Sequence, residues 1–333
     1  MMRARRVVAL SSSSAASDGD KRQLLGGLPP ADEAARATAA EHTAALAVPA
    51  GSLGRIAEIA EWMATWSGLA KPIVTRPLIA IFAGTHGLAA SMPGAKPNAT
   101  HRLVELYAAG GAAVNQLALR EDAGLKVFDL ALAMPVPTIR KDDALSEPAC
   151  AATMAFGMEA IAGGTDLLCL GAAGEGGRIA AAALVTALFG GEPQDWTDGS
   201  DFAAGAVGKA IATHDGRLAD PLEALRRVGS RELAAIAGAI LAARYQRIPV
   251  LLDGFVTCAA AAVLWKLEPS TLDHCLAAHA SDAAHARLLS TLGKQPLLET
   301  ARSLEDGAGA ALALGTVKSA LAVRSGTVTR DEL

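Results

Sequence analysis

The residues best suited to chemistry lie in a glycine-rich bend, residues 171–177, which reads GAAGEGG. A short apolar run precedes the bend, and an alanine-rich helix is predicted to begin near Arg178. Glycine lets backbone N–H groups come close to an anion, and a helix N-terminus favours negative charge. The bend therefore predicts a site for a phosphate-bearing ligand. Glu175 would repel a phosphate unless it points to solvent, whereas Arg178 could compensate for it.

Two further polar residues follow predicted buried strands. His86 stands in a glycine-rich turn, where it could bind a ligand or orient a base, or could instead bond to the backbone of the turn. Asp253 could accept hydrogen bonds from a sugar, or could act as the N-cap of the next helix. Both alternatives remain open for each residue.

Two adjacent acids, Glu305 and Asp306, precede a helix that is predicted to begin near Gly309. A carboxylate whose pKa is raised by burial can act as a general base. Acidic residues also complement the dipole at a helix N-terminus, and the local sequence alone favours that role. Three histidines, His274, His279 and His285, lack the spacing of a zinc motif and have few acids nearby, so we expect no metal site.

Short apolar runs alternate with helical patterns along the chain. This alternation is typical of an α/β protein whose Rossmann-like parallel sheet is covered by helices on both faces. Ligands of such sheets bind beyond the carboxyl ends of the strands, so we expect the glycine-bearing loops to lie near one edge. The predicted strands are residues 78–82, 125–132, 167–170, 248–255 and 272–278, and the main predicted helices are residues 53–66, 100–119, 149–162, 232–243 and 256–265.

Composition excludes several classes of protein. The 333 residues are 51% hydrophobic and 19% charged, which is enough to bury a large core. A net charge of −4 gives no electrostatic case for binding nucleic acid or an anionic membrane. No apolar run is long enough to span a bilayer. The isolated cysteines fit a reducing cytoplasm; they are Cys150, Cys169, Cys258 and Cys275.

The order and spacing of several segments resemble the nicotinate-nucleotide–dimethylbenzimidazole phosphoribosyltransferase family over residues 28–321. The segments that carry the resemblance are PAGSLGRIAEIAEWMATW (49–66), PLIAIFAGTHG (77–87), AAGGAAVNQL (108–117), GLKVFDLAL (124–132), CAATMAFGMEAIAGGTDLLCLG (150–171), DPLEALRRVGSRELAAIAGAILAAR (220–244), PVLLDGF (249–255) and LEDGAGAALAL (304–314).

The resemblance implies a large α/β domain with a Rossmann-like parallel sheet and a smaller helical domain built from N-terminal and C-terminal segments. We expect a disordered extension over residues 1–27, helical-domain segments at 28–75 and 301–325, the α/β domain at 76–300, and a tail at 326–333. The family moves phosphoribose from nicotinate mononucleotide to 5,6-dimethylbenzimidazole, uses no metal or redox cofactor, and usually forms homodimers.

The resemblance also assigns site residues. Asp306 matches the position of the family's catalytic glutamate, with a side chain one methylene shorter. The segment HASDAAH (279–285) matches a ligand-facing motif that includes Ser281. Taken together, the residue patterns and the resemblance give these candidate substrate-binding residues: Gly171, Gly174, Gly176, Arg178, His86, Asp253 and Ser281.

Some loop residues differ from the family pattern. The acid, asparagine and two threonines of its phosphate loop are replaced by Ala172, Gly177, Arg178 and Ile179. One hypothesis is an active or altered phosphoribosyltransferase. The alternative is a catalytically silent paralogue that binds a ligand or forms a heterodimer with an active homologue.

Overall fold

A computed structural model describes residues 26–299 and 305–333. The disordered extension predicted for residues 1–27 lies outside this range except for its last two residues. Within the described residues, the strands are β1 (Pro77–Ala83), β2 (Gly124–Asp129), β3 (Leu167–Ala173), β4 (Val250–Leu252), β5 (Cys275–His279) and β6 (Pro296–Leu298). The α-helices there are α1 (Glu33–Ala45), α2 (Arg55–Ser67), α3 (Ala99–Ala108), α4 (Ala113–Arg120), α5 (Glu147–Met158), α6 (Gly177–Phe189), α7 (Asp201–Thr213), α8 (Pro221–Val228), α9 (Arg231–Tyr245), α10 (Gly254–Leu267), α11 (Ala283–Thr291) and α12 (Ala308–Gly326).

The strands form one parallel sheet in the order β2-β1-β3-β4-β5-β6. This confirms the predicted α/β fold with a Rossmann-like sheet. The chain runs from β1 to β2 on one side, then returns to place β3 on the other side of β1. A crevice for ligands forms at such a switch point, because the loops that follow the two central strands diverge.

Helices cover both faces of the sheet with separate apolar layers. One layer includes residues of α5 through α11, and the other includes residues of α2, α3, α4 and α12. Every residue of β1 and β3 is buried, as expected for strands covered on both faces. The edge strand β2 instead has half-buried and exposed residues. The core therefore holds β1 and β3 along their whole length, and these two strands flank the switch point.

Segments from the two ends of the chain meet. Helix α1 packs on α2, and α2 packs on α12. The backbone N–H of Ala47 donates to the carbonyl of Val328 over 2.9 Å. Leu46 also pairs with Thr329 in an isolated bridge. This arrangement is compatible with a helical unit made from both ends, while the exact domain boundaries stay a prediction.

Several predicted elements have different bounds in the structure. Strand β2 ends at Asp129 rather than at residue 132, and β5 begins at Cys275 rather than at residue 272. Two other differences arise at a glycine. The helix predicted over residues 100–119 is split into α3 and α4, since Gly110 adopts a φ of 74° between them. The strand predicted over 248–255 is limited to β4, because Gly254 adopts a φ of 77° and begins α10. In both cases a glycine ends an element within a run of residues whose apolar pattern alone predicts that the element continues. Along the two described stretches of the chain, no helix is long and apolar enough to cross a membrane.

Candidate functional site

The loops that follow β1, β3 and β4 meet at one edge of the sheet, as the sequence predicts. The backbone N–H of Gly84 donates to the carbonyl of Ala173 over 2.9 Å. The segment before α12 joins the same edge, because the N–H of Ala172 donates to the carbonyl of Glu305 over 2.7 Å. The glycine loops and the two adjacent acids therefore belong to a single site.

Gly171 allows the acidic segment to cross β3 at close range. A Cβ atom at this position would lie 2.5 Å from the carbonyl carbon of Asp306 and 2.8 Å from Cα of Gly307. Real Cβ atoms do not approach backbone atoms so closely, so only glycine fits there. Gly171 thus places the acidic segment directly over the end of the central strand.

Asp253, at the end of β4, anchors the same acidic segment. Its Oδ2 accepts a 2.6 Å hydrogen bond from the N–H of Gly307, and its Oδ1 lies 2.7 Å from Nε2 of His279. The side chain is fully buried and makes no capping bond to α10, although Asp253 occupies the N-cap position. Burial raises the pKa of Asp253, and the contacts with His279 and Gly307 oppose that rise. Asp253 therefore fixes the start of α12.

The two adjacent acids have different environments. Glu305 Oε1 accepts hydrogen bonds from Arg178 over 2.5 Å and from the N–H of Phe255 over 3.0 Å. Burial raises the pKa of Glu305, while Arg178 acts to lower it. Asp306 is half-buried, and its Oδ2 accepts a 3.1 Å hydrogen bond from the hydroxyl of Tyr107. Glu305 is thus committed to an ion pair, whereas Asp306 keeps a partly exposed carboxylate at the sheet edge.

Arg178 lies in the first turn of α6 and is shared between two carboxylates. Besides Glu305, its guanidinium forms an ion pair with Asp282, and it stacks 4.8 Å from the centroid of the Phe255 ring. The sequence predicts that Arg178 offsets the charge of Glu175 for a bound phosphate. In this structure the guanidinium is already neutralised, so a phosphate must compete with Asp282 and Glu305 for it.

A buried pair lies beneath the glycine loops. Nε2 of His86 donates to Oε1 of Glu232, which comes from the first turn of α9, and both side chains are almost fully buried. Burial acts to raise the pKa of Glu232, but the nearby His86 outweighs it and the pKa is lowered. A Cβ at Gly174 would lie 2.6 Å from the carbonyl oxygen of Gly84 and 3.1 Å from Glu232 Oε1. Gly174 therefore makes room for this pair.

Gly176 packs closely against His86. It adopts a φ of 97° at the N-cap of α6, and a Cβ there would lie 3.1 Å from Cβ of His86. Sequence reasoning found His86 and the glycines but missed Glu232. Its only sequence signal is a position in the first turn of a predicted helix, where acids are common.

A cavity of about 640 Å³ opens beside the switch point on the β2 side. His86 and Glu175 line it from the two glycine loops, and Lys96, Thr100 and Leu132 line it from the opposite wall. The hydroxyl of Thr100 accepts a 3.2 Å hydrogen bond from the N–H of Glu175, so the start of α3 is joined to the glycine-rich bend. The volume is within the usual range of small-molecule sites.

Ser281 lies after β5, next to the ion pairs of Arg178. Its hydroxyl donates to Asp282 Oδ2 over 2.8 Å, and its N–H donates to Nδ1 of His285 over 3.1 Å. Because Nδ1 accepts, the ring proton of His285 is on Nε2, which lies 3.4 Å from Sγ of Cys258. Ser281 therefore joins Asp282 to a buried neutral imidazole. In the described part of the chain, no group of three or more His, Cys, Asp or Glu residues could hold a metal ion.

We expect His285 to make the folded protein sensitive to acid. Burial lowers the pKa of His285 to about 3, so the unfolded chain takes up a proton near pH 6.5 that the folded chain does not. Stability is therefore highest above pH 6.5 and falls as the pH decreases towards 3. Between pH 4.5 and 5.5, His285→Gln should lower the slope of unfolding free energy against pH by up to about 1.4 kcal/mol per pH unit.

The measurement is urea unfolding of the wild type and the variant across that range. Gln116→Ala, which removes an uncharged amide from the exposed side of α4, serves as the control and should keep the wild-type slope. An unchanged slope in His285→Gln would show that the buried imidazole is protonated equally in both states.

The fold and the site define a doubly wound α/β protein that gathers carboxylates around glycine-bearing loops at its switch point. A family profile described as phosphoribosyltransferase matches residues 28–332. The chain belongs to the nicotinate-nucleotide–dimethylbenzimidazole phosphoribosyltransferase family.

Relatives of that name match nearly the whole chain. The protein of Brucella anthropi is 50% identical over 323 residues, covering 94% of this chain and 95% of its own. A Sinorhizobium protein is 52% identical over 322 residues, covering 93% and 94%. The crystal structure of the Thermus thermophilus protein superposes with a TM-score of 0.82 at 31% identity, covering 90% of this chain and 97% of that one.

Proposed function

We propose that this chain transfers the phosphoribosyl group of nicotinate mononucleotide to a benzimidazole-type base, as in assembly of the lower ligand of cobalamin. The near-complete match to relatives with that activity in their names supports the proposal. The observation that carries it is the placement of Asp306, whose half-buried carboxylate stands at the carboxyl edge of the sheet on a segment fixed by Gly171 and Asp253.

The chemistry requires positioning and one base. Nicotinate is a good leaving group because its ring nitrogen is cationic while it is attached to ribose. A nitrogen of the incoming base attacks C1′ from the opposite face, and the bond from C1′ to nicotinate breaks. Asp306 takes the proton from the other ring nitrogen of the attacking base. Fixing both reactants in one geometry contributes most of the remaining rate enhancement.

The other predicted residues have supporting roles in this proposal. Gly171, Gly174 and Gly176 shape the loops around the phosphoribosyl group. Arg178 exchanges one carboxylate partner for the phosphate, and Ser281 holds Asp282 in place as that exchange occurs. Acting together, these residues set the affinity for nicotinate mononucleotide.

His86 and Asp253 complete the proposed site. His86 lines the 640 Å³ cavity beside the glycine bend. Asp253 acts through the backbone of Gly307. We further propose that the protein works in the cytoplasm as a homodimer. The silent-paralogue alternative lacks a supporting observation, since the base position retains a carboxylate with a defined hydrogen-bond partner.

The test is an assay of the purified protein with nicotinate mononucleotide and 5,6-dimethylbenzimidazole. We expect α-ribazole phosphate and nicotinate to form in equal amounts, and neither to form when the base is omitted. Chromatography with mass detection identifies both products. A folded protein that binds nicotinate mononucleotide but gives no product at millimolar substrates would contradict the proposal and favour the silent paralogue.

A further inference from the structure

Tyr107 reaches the proposed base from the opposite wall of the site. It lies near the end of α3, 199 residues before Asp306, and its side chain is 3% exposed. Its hydroxyl donates to Oδ2 of Asp306 over 3.1 Å. Burial raises the pKa of Tyr107, and Asp306 raises it further, so the phenol stays protonated and acts as a donor.

The position of Tyr107 is fixed independently of Asp306. Its ring packs in the apolar layer that contains Ile79, Ile81 and Val114. Its backbone carbonyl accepts a 2.9 Å hydrogen bond from Nδ2 of Asn115, at the start of α4. The phenol hydroxyl is therefore presented from a rigid support rather than from a mobile loop.

The backbone of Asp306 is fixed as well, but its side chain has few partners. Gly171 lets the segment pack closely against β3, and Asp253 accepts a hydrogen bond from the N–H of Gly307. Among the described residues, the carboxylate accepts only the hydroxyl of Tyr107 at Oδ2 and the N–H of Ala308 at Oδ1, the latter over a long 3.3 Å. The rotamer of the carboxylate thus depends mainly on the phenol.

We propose that Tyr107 is a positioning residue, whose hydroxyl orients the Asp306 carboxylate for proton removal from the attacking base. This inference rests on the proposed function. The hydrogen bond from the phenol occupies Oδ2. Oδ1 is therefore the oxygen that receives the proton, once the attacking base has displaced the long contact from the N–H of Ala308. A short aspartate side chain needs this second support, because a misplacement of about 1 Å at a reacting group costs on the order of 10²-fold in rate.

The experiment is a double-mutant cycle on the full chain with Tyr107→Phe, Asp306→Asn and the double variant. Tyr107→Phe removes one oxygen and keeps the ring that packs in the core. We expect kcat to fall about 10- to 100-fold while KM for both substrates changes less than about 3-fold, because a bond to a charged group is lost. In the Asp306→Asn background the same change should have almost no effect. Tyr245→Phe, at the far end of α9, is the matched control and should keep wild-type kcat. Circular dichroism and thermal unfolding verify that each variant is folded.

The outcomes separate the positioning role from the proposed activity. An unchanged kcat in Tyr107→Phe, or an equal loss in the Asp306→Asn background, would overturn the positioning role alone. A loss expressed only in KM would also overturn it, since it would indicate a role in substrate binding. An inactive wild type would refute the proposed function, and this inference with it.

Discussion

Replacing Asp306 by asparagine is expected to lower kcat by about 10²- to 10⁴-fold, the usual contribution of a general base. Asparagine keeps the size of the side chain and can still accept the hydrogen bond from Tyr107, but it cannot take up a proton. KM should change little, because the substrates bind chiefly to the glycine loops and the cavity wall. The measurement is steady-state formation of α-ribazole phosphate from nicotinate mononucleotide and 5,6-dimethylbenzimidazole.

Two controls make this result specific. Glu299→Gln applies the same change from carboxylate to amide at an exposed residue, and should leave kcat unchanged. Glu305→Gln removes one of the two carboxylates that compete with a phosphate for Arg178, so it should mainly lower KM for the nucleotide. If Asp306→Asn retained full kcat while Glu305→Gln lost it, the base would be Glu305.

Gly171→Ala is expected to damage both stability and activity. The added methyl group would overlap the backbone of Asp306 and Gly307, so the acidic segment must move away from β3. Overpacking of this kind typically lowers the free energy of unfolding by about 1–3 kcal/mol. A shift of about 1 Å in the segment should lower kcat on the order of 10²-fold. Urea unfolding and the product assay measure the two effects on the same preparation.

The matched control is Gly205→Ala in α7, where a Cβ would meet no atom within 4 Å. Alanine favours the helical backbone over glycine, so this variant should be more stable by about 0.5–1 kcal/mol and fully active. A Gly171→Ala protein with wild-type stability and kcat would mean that the acidic segment can move without loss, and that its close approach to β3 is unimportant for catalysis.

Part of the fold could be predicted from local pattern. The fully buried strands β1 and β3 appear in the sequence as continuous apolar runs, and the loops after them contain the glycines. The N-cap of α5 is equally clear, since Ser146 precedes a glutamate and a proline, and its hydroxyl caps Ala149. Local pattern does not indicate the short strand β6 or the helices α1, α7, α8 and α11. Their apolar residues are few or are small alanines with weak periodicity, and α8 spans only 8 residues.

The site was less predictable, because its contacts join distant parts of the chain. Arg178 pairs with residues 104 and 127 positions away, and His86 with a residue 146 positions away. Local sequence indicates a free positive charge at Arg178. The fold places two carboxylates against it instead, since the loops after β3 and β5 and the segment before α12 converge at one edge.

Local sequence specifies the α/β class, the glycine-bearing edge and the presence of two adjacent acids, because these depend on apolar periodicity and on residue types over short spans. It does not specify which acid is available for chemistry. Glu305 and Asp306 are neighbours in the chain, yet one faces Arg178 and the other faces Tyr107. That difference arises from the packing of the whole chain, since successive side chains on a segment held over a strand point to different walls, and each wall is built by a distant part of the chain.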